Sequence, residues 1–331
     1  MSDKDILVTG VAGFVGSTLC DYVLENHPEY TIHGTVRYRT DLRNIDHIKE
    51  KLVLHDADLT DSHAINNLIQ EVQPAKIFHL GAISYVPTSW ENPLAVMNVN
   101  IGGTINILES VRKYSPYTIV QIAGSSEAYG KVYVDEIPIK ETNPLRPLSV
   151  YGVSKAAASM LAVQYYESYG TKTILTFAFN HEWSRRGKDF VLPSLIRQAI
   201  EVKSGVKDYI LVGNLDAVRD FTACPDMVKG YWMATEDNRC QFGDVYNIAS
   251  GIGHKIKNIL TLILTLFDLP DSVVKEDTQK LRPSDVPILI GDSNKFREAT
   301  GWEPTYTIHD IIESIAEEWV EKLNKEQINI N

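Results

Sequence analysis

The chain has 331 residues, 44% hydrophobic and 23% charged, which excludes a disordered or low-complexity protein and suits one large α/β unit or two interleaved lobes. With 32 basic against 43 acidic side chains the net charge is −11, arguing against a general nucleic-acid or anionic-membrane surface and leaving room for a local basic pocket. Cys20, Cys224 and Cys240 lack paired or metal-like spacing, a strand begins almost at once, and no apolar run reaches the ~18 to 20 residues of a membrane span, so free thiols and a cytoplasmic location are expected.

DILVTG reads as a buried strand, and GVAGFVGS at 10 to 17 follows it and opens a helix over 14 to 26. Gly10, Gly13 and Gly16, with Phe14 and Val15 between them, form a G-x-x-G-x-x-G array whose missing side chains let backbone N–H groups and a helix N-terminus approach a pyrophosphate. The next strand, TIHGTVR, ends about 20 residues further on, where an NAD site expects a carboxylate for the ribose 2′-hydroxyl. Arg37 stands there instead, with Arg39 and Arg43 nearby. Guanidinium forks suit a 2′-phosphate, so NADP is expected over NAD, although Asp41 leaves a ribose contact open. ADL at 57 to 59 closes a third strand, with Asp58 placed to meet an adenine amino group and Leu59 beside it; a helix follows around 61 to 72. In AKIFHLGA, Leu80 and Ala82 fall where backbone would run beside the cofactor.

A helix around 96 to 114 and the strand YTIVQIAGS lead to AGSSEAYG, which ends a strand on hydroxyls. YGVSK then places Tyr151 and Lys155 four apart, on one face of a helix running to about 169. A lysine ammonium beside a phenol, with a cofactor cation adjacent, is expected to lower the tyrosine pKa towards neutrality, and Ser125 can share the moving proton. Together with the glycine array this is hydride chemistry on a Rossmann-type doubly wound parallel sheet. Hydride transfer alone needs no carboxylate, so the residues by themselves leave Glu127 open, with a solvated loop residue as the plainest reading. TKTILTFAFN reads as one more buried strand; beyond Asn180 come a basic irregular stretch, WSRRGKDF, a helix in FVLPSLIRQAIEV, and the short strands YILVGN, DVYNIAS and DVPILIGD. The expected division is 1–180 for the NADP-binding domain with the catalytic residues. Residues 181–331 then form mainly a smaller C-terminal substrate-binding lobe, with some elements returning to the first domain. His181 and Glu182 read as structural, and nothing is spaced as a metal site.

GSSEAYG, PLSVYGVSK, FNHEWSRRGKDFV, GNLDAVRDFT, LRPSDVPILIGD and KFREATGWEP together resemble an extended short-chain dehydrogenase/reductase, and within it the GDP-mannose 4,6-dehydratase branch. The resemblance covers nearly the whole chain. It implies oxidation of a hexose C4 hydroxyl, loss of water across C5 and C6 and return of the hydride to C6. Tyr151 would handle the C4 proton with Ser125 and Lys155, and Glu127 would take the C5 proton and help the C6 hydroxyl depart. It further implies a GDP-sugar held by Ser84, Asn180, Asn214, Arg219, Arg282 and Asp285, tightly retained NADP, and a homodimer or homotetramer built on the loop at 37 to 43. Asn100 would support the helix of the catalytic tyrosine.

Three departures from the family pattern carry expectations. Ser125 replaces the usual threonine and keeps its hydroxyl. Trp183 and Ser184 replace a small residue and a proline, which predicts a looser loop and added bulk near the sugar. Ser194 stands where a lysine is usual, removing one phosphate contact. A related group, the reductases of GDP-4-keto-6-deoxyhexoses, shares several of these motifs and is the alternative. A non-catalytic NADP-binding sensor on the same fold is the second alternative.

Overall fold

The computed structural model describes residues 4–236, 239–280 and 286–328. Strand and helix alternate through the first half: β1 (Asp5–Thr9), α1 (Phe14–Asn26), β2 (Thr31–Val36), β3 (Leu52–Asp56), α2 (Ser62–Val72) and β4 (Lys76–His79). The helix expected around 96 to 114 comprises the end of α4 (Pro93–Met97), a widened π-helical turn at Asn98–Gly102 and α5 (Gly103–Tyr114), with a separate short α3 (Val86–Glu91) before them. β5 (Ile119–Ala123), α6 (Val150–Tyr169) and β6 (Thr173–Ala178) complete this half. Ser149 caps α6 by accepting the Gly152 N–H at 3.0 Å, so the helix starts immediately before Tyr151.

The second half contains β7 (Asn180–Glu182), α7 (Val191–Lys203), β8 (Ile210–Val212), β9 (Val218–Ala223), α8 (Cys224–Ala234) and β10 (Val245–Ile248). It continues with β11 (Gly253–Lys255), α9 (Ile256–Leu266), β12 (Val274–Glu276), β13 (Ile288–Leu289), α10 (Asn294–Thr300) and α11 (Ile308–Ile328).

The main sheet has seven strands in the order β3-β2-β1-β4-β5-β6-β10, with every pairing parallel. Right-handed crossovers in such a sheet place helices on both faces, which is why its strands read as near-continuous apolar runs. β10, from the DVYNIAS segment, pairs with β6 in this sheet. β11, β9 and β13 form a smaller sheet in which β7 also pairs with β9, and β12 pairs with β8. The strand read through TKTILTFAFN therefore divides at Phe179: its first part belongs to the main sheet and Asn180 opens the other one.

Three apolar cores follow. One lies between the sheet and α1 with α8, around Leu19, Phe78 and Trp232; a second lies beneath α2, α5 and α6, around Leu68, Ile107 and Tyr165. The third, around Leu195, Ile259 and Ile315, joins α7, α9 and α11. Trp183 packs against the first and third cores together and tilts against Tyr306 with ring centroids 4.8 Å apart. Asp220 of β9 is fully buried and accepts from the N–H groups of Ser250, Gly251 and Gly291 and from the Ser250 hydroxyl. The acidic residue of the VRDF motif thus pins the loops after β10 and β13 to the small sheet, satisfying a charge that would otherwise be costly to bury.

Candidate active site

The strand order reverses between β1 and β4, and ligands bind in the crevice outside the carboxyl ends of strands at such a point. A cleft of about 1180 Å³ opens there and extends to the small sheet. Its floor is fixed by a buried chain of hydrogen bonds. Thr9 Oγ1 accepts the N–H groups of Leu80 and Gly81 and lies 2.9 Å from His79 Nδ1, while His79 Nε2 lies 3.1 Å from Thr104 Oγ1. Thr104 donates its own proton to Asn100 O at 2.6 Å, so it accepts from His79 Nε2–H and Thr9 donates to Nδ1. The network needs a neutral imidazole, and burial, with Lys155 adding to it, pushes the His79 pKa down to about 3.

At the first turn, a Cβ on Gly16 would lie 2.3 Å from Gly10 O, so only glycine lets α1 begin this close to the end of β1. Gly10, Gly13, Phe14, Val15 and Gly16 all line the cleft, as do Asp58, Leu59, Leu80 and Ala82. Arg37 lines both the cleft and an adjoining hollow of about 410 Å³ formed with Tyr38, Arg39, Thr40, Asp56 and Asp58. Asp58 is held by the backbone N–H and hydroxyl of Thr60, which depress its pKa with a smaller contribution from Arg37. Asp41 is ion-paired to Arg43 at 2.6 Å.

Ser125, Glu127, Tyr151 and Lys155 line the same cleft. A Cβ on Gly152 would sit 2.6 Å from Glu127 O, so the glycine after Tyr151 lets α6 pack directly on the Glu127 backbone. Ser125 Oγ accepts the Glu127 N–H at 3.3 Å and shares a hydrogen bond with Tyr151. Lys155 Nζ donates to Ala123 O at 2.7 Å. Asn100 braces this arrangement, exchanging hydrogen bonds with the Ile83 backbone and donating to Ser154 Oγ at 2.9 Å, one turn along from Tyr151.

The expected lowering of the tyrosine pKa is not produced by the chain's own groups. Burial pushes Tyr151 up to about 12; the Ser125 hydrogen bond opposes this, Glu127 adds to it and Arg186 opposes it. Lys155 is lowered to about 8 by burial. The lysine is anchored to the β5 carbonyl, and desolvation of the phenol outweighs the neighbouring cations.

Towards the small sheet, Ser84, Asn180, Asn214 and Arg219 line the cleft, while Arg282 and Asp285 lie outside the described residues. Asn214 Oδ1 accepts the Asp216 N–H, and Arg219, nearly buried, donates to the Val218 carbonyl. Ser194 lines the cleft together with Lys188, Arg197 and Lys280, so cationic side chains are present around the position of the missing lysine.

The family model described as GDP-mannose 4,6 dehydratase matches residues 7–315. The chain belongs to that family. A GDP-mannose 4,6-dehydratase of Vibrio cholerae is 31% identical over 93% of this chain and 91% of its own, and a GDP-mannose 4,6 dehydratase of Arabidopsis thaliana is 31% identical over 99% and 90%. Among solved structures, RMD from Pseudomonas aeruginosa complexed with NADPH has a TM-score of 0.83 at 26% identity, covering 96% of this chain and 99% of that one. A UDP-glucose 4-epimerase from Thermotoga maritima with UDP-glucose has a TM-score of 0.85 at 25% identity and the same coverage. Among the described residues no helix is long and apolar enough to cross a membrane, and no cluster of His, Cys, Asp or Glu could hold a metal ion.

For this GDP-mannose 4,6-dehydratase family member, sequence reasoning missed part of the wall contributed by the segment after β6 and by α8. His181, Glu182, Arg186, Phe190 and Tyr231 all line the cleft. His181 donates Nδ1–H to Phe179 O at 2.9 Å and stacks on Phe14; burial, reinforced by Arg186, lowers its pKa to about 4. The signal was the basic run at 185 to 188, which the sequence places next to a strand end without saying where it points. Trp183 is a correction: it packs into the core and does not line the cleft. The loop is also better tied than the absent proline predicts. Ser184 N donates to Ser314 Oγ, Arg185 N donates to Glu318, and the Arg185 guanidinium donates to Asp21 at 2.6 Å.

Proposed function

We propose that this chain is an NADP-dependent GDP-sugar 4,6-dehydratase converting GDP-mannose to GDP-4-keto-6-deoxymannose. The observation that carries the reading is a carboxylate, Glu127, beside a Ser125–Tyr151–Lys155 arrangement at the end of a dinucleotide-type cleft. The cradle fits a dinucleotide: the Gly16 turn admits a pyrophosphate, and Arg37 with Arg39 supplies guanidinium forks for a 2′-phosphate. When bound, the nicotinamide supplies the acceptor for the C4 hydrogen and its return to C6. Tyr151 removes the C4 hydroxyl proton, and the positive charge that the oxidised cofactor would bring to the cleft would oppose the burial that holds its pKa high. Ser125 holds the same oxygen through its hydroxyl, and Lys155, fixed to Ala123 O, keeps positive charge near the developing alkoxide. Glu127 takes the C5 proton, which the C4 ketone has made acidic, and delivers a proton to the departing C6 hydroxyl.

In this reading residues 1–180 form the NADP-binding domain and 181–331 mainly the nucleotide-sugar lobe, with β10 returned to the main sheet. Ser84 and Asn180 face the hexose, and Asn214 and Arg219 the nucleoside diphosphate. Three buried free cysteines support a cytoplasmic location. The loop carrying Tyr38, which is 79% exposed, supports a homodimer or homotetramer in which it reaches a neighbouring subunit; sedimentation of a Tyr38→Ala variant tests this.

The function is tested by incubating purified protein with GDP-mannose and no reductant while following mass. Loss of one water without net cofactor consumption is expected. No loss, followed by NADPH-dependent reduction of a GDP-4-keto-6-deoxyhexose, would replace the dehydratase by the reductase.

A further inference from the structure

Glu182 closes β7 and is 1% exposed. Its Oε2 lies 3.4 Å from Arg186 Nε, yet among the described residues this oxygen accepts no hydrogen bond and that nitrogen donates none. Arg186 is in turn held by π-faces: its guanidinium carbon lies 3.5 Å from the centroid of the Phe190 ring and 5.0 Å from that of Phe14. Phe14 is the first residue of α1, so the guanidinium packs on a side chain from the helix's first turn, and Phe14, Glu182 and Arg186 line the same cleft.

A buried carboxylate with one imperfectly aligned cation is weakly held in its charged form. Burial is the larger influence and Arg186 the smaller, and together they push the Glu182 carboxyl up to about 7. Among the described residues, other groups close by add no second counter-charge. The Cys224 thiol of α8, raised to about 12 by burial, is neutral, as is His181, lowered to about 4. Tyr231 is raised further still by burial, and Arg185 is engaged by Asp21.

We propose that Glu182 is a positioning residue for Arg186 and serves as its removable counter-ion, holding the guanidinium in the free cleft and taking up a proton when a dinucleotide diphosphate claims it. This rests on the reading that the cleft binds NADP. The balance is simple: one proton from solvent ends on the Glu182 carboxyl, and Arg186 keeps its charge and turns its electrostatic partnership to the phosphates. By linkage, NADP affinity falls as pH rises above about 7, by up to about tenfold per unit.

The test is titration calorimetry with NADP at about pH 8, where a 2′-phosphate with a second pKa of about 6 is already ionised, in buffers of different ionisation heat. The difference in proton uptake between wild type and Glu182→Gln isolates this carboxyl, because Lys155, lowered to about 8, titrates in both. Expected is an uptake in wild type that exceeds the variant's by a substantial fraction of one proton, with affinity in the variant losing its decline with pH. Arg186→Gln leaves Glu182 without a cation and therefore neutral, so it should lose the same uptake and bind NADP more weakly. Equal uptake in wild type and Glu182→Gln overturns the proposal while leaving NADP binding intact. Failure of wild type to bind NADP removes the dinucleotide reading and this proposal with it.

Discussion

The two walls of the cleft are built by different means. The wall from β1 to β5 is defined by backbone: a glycine turn at 10 to 16, strand ends pinned by the Thr9–His79–Thr104 chain, and α6 packed on the Glu127 backbone through Gly152. The facing wall, from β7, α7, β9 and the segment ending at Lys280, is defined by side chains brought from distant parts of the chain, such as Arg186, Ser194, Arg219 and Lys280. The backbone wall places reacting groups to within hydrogen-bond tolerance. The side-chain wall gathers charge: Lys188, Arg197 and Lys280 line the cleft together with Ser194.

Substitutions on the first wall should therefore cost turnover, and substitutions on or beside the second should cost binding. Tyr151→Phe is expected to lower kcat by about a thousandfold or more while NADP binding persists, measured by product formation and calorimetry. A non-catalytic sensor would lose nothing measurable in that variant. Glu127→Gln is expected to reduce overall turnover by about a hundredfold to ten-thousandfold and to stall after C4 oxidation, seen as reduced-cofactor absorbance that builds up without water loss. Full turnover by this variant would break the assignment of Glu127.

Arg37 belongs to the backbone wall but serves charge, so it sharpens the division. Loss of charge-assisted hydrogen bonds worth about 1.5 to 3 kcal/mol predicts a roughly tenfold to hundredfold weaker NADP affinity in Arg37→Ala, with NAD affinity nearly unchanged. Equal losses for both dinucleotides would mean that Arg37 does not face a 2′-phosphate.

A further effect concerns stability. The His181 pKa is depressed from 6.5 to about 4 in the fold, so its contribution is fully present above 6.5 and is lost as pH falls towards 4. At about 1.4 kcal/mol per unit this is at most about 3 kcal/mol. His181→Asn should lose less stability than wild type over that interval in urea unfolding; His79 titrates alike in both proteins. Parallel curves would contradict a buried neutral His181.

The same contrast explains what could be read from sequence. The parallel sheet, the phosphate turn and the Tyr151–Lys155 pair are local patterns with fixed periods, and each fell where its spacing put it. Glu182 was read as structural and Arg186 was not assigned, because four residues of irregular chain do not state which side of a strand end they serve. Trp183 was misplaced for a related reason: bulk at a position says nothing about direction, and here the indole turns towards Tyr306 and two cores. The chain's own groups leave the tyrosine pKa high because burial is the larger influence, whereas the expected lowering counted a cofactor cation besides the lysine.

The most direct test of the central claim follows the hydrogen itself, using GDP-mannose deuterated at C4 and reading the product by mass and NMR. The account predicts a product one water lighter that carries the C4 deuterium at C6. A product without deuterium at C6, or recovery of unchanged substrate from active-site-intact, NADP-loaded protein, would contradict it.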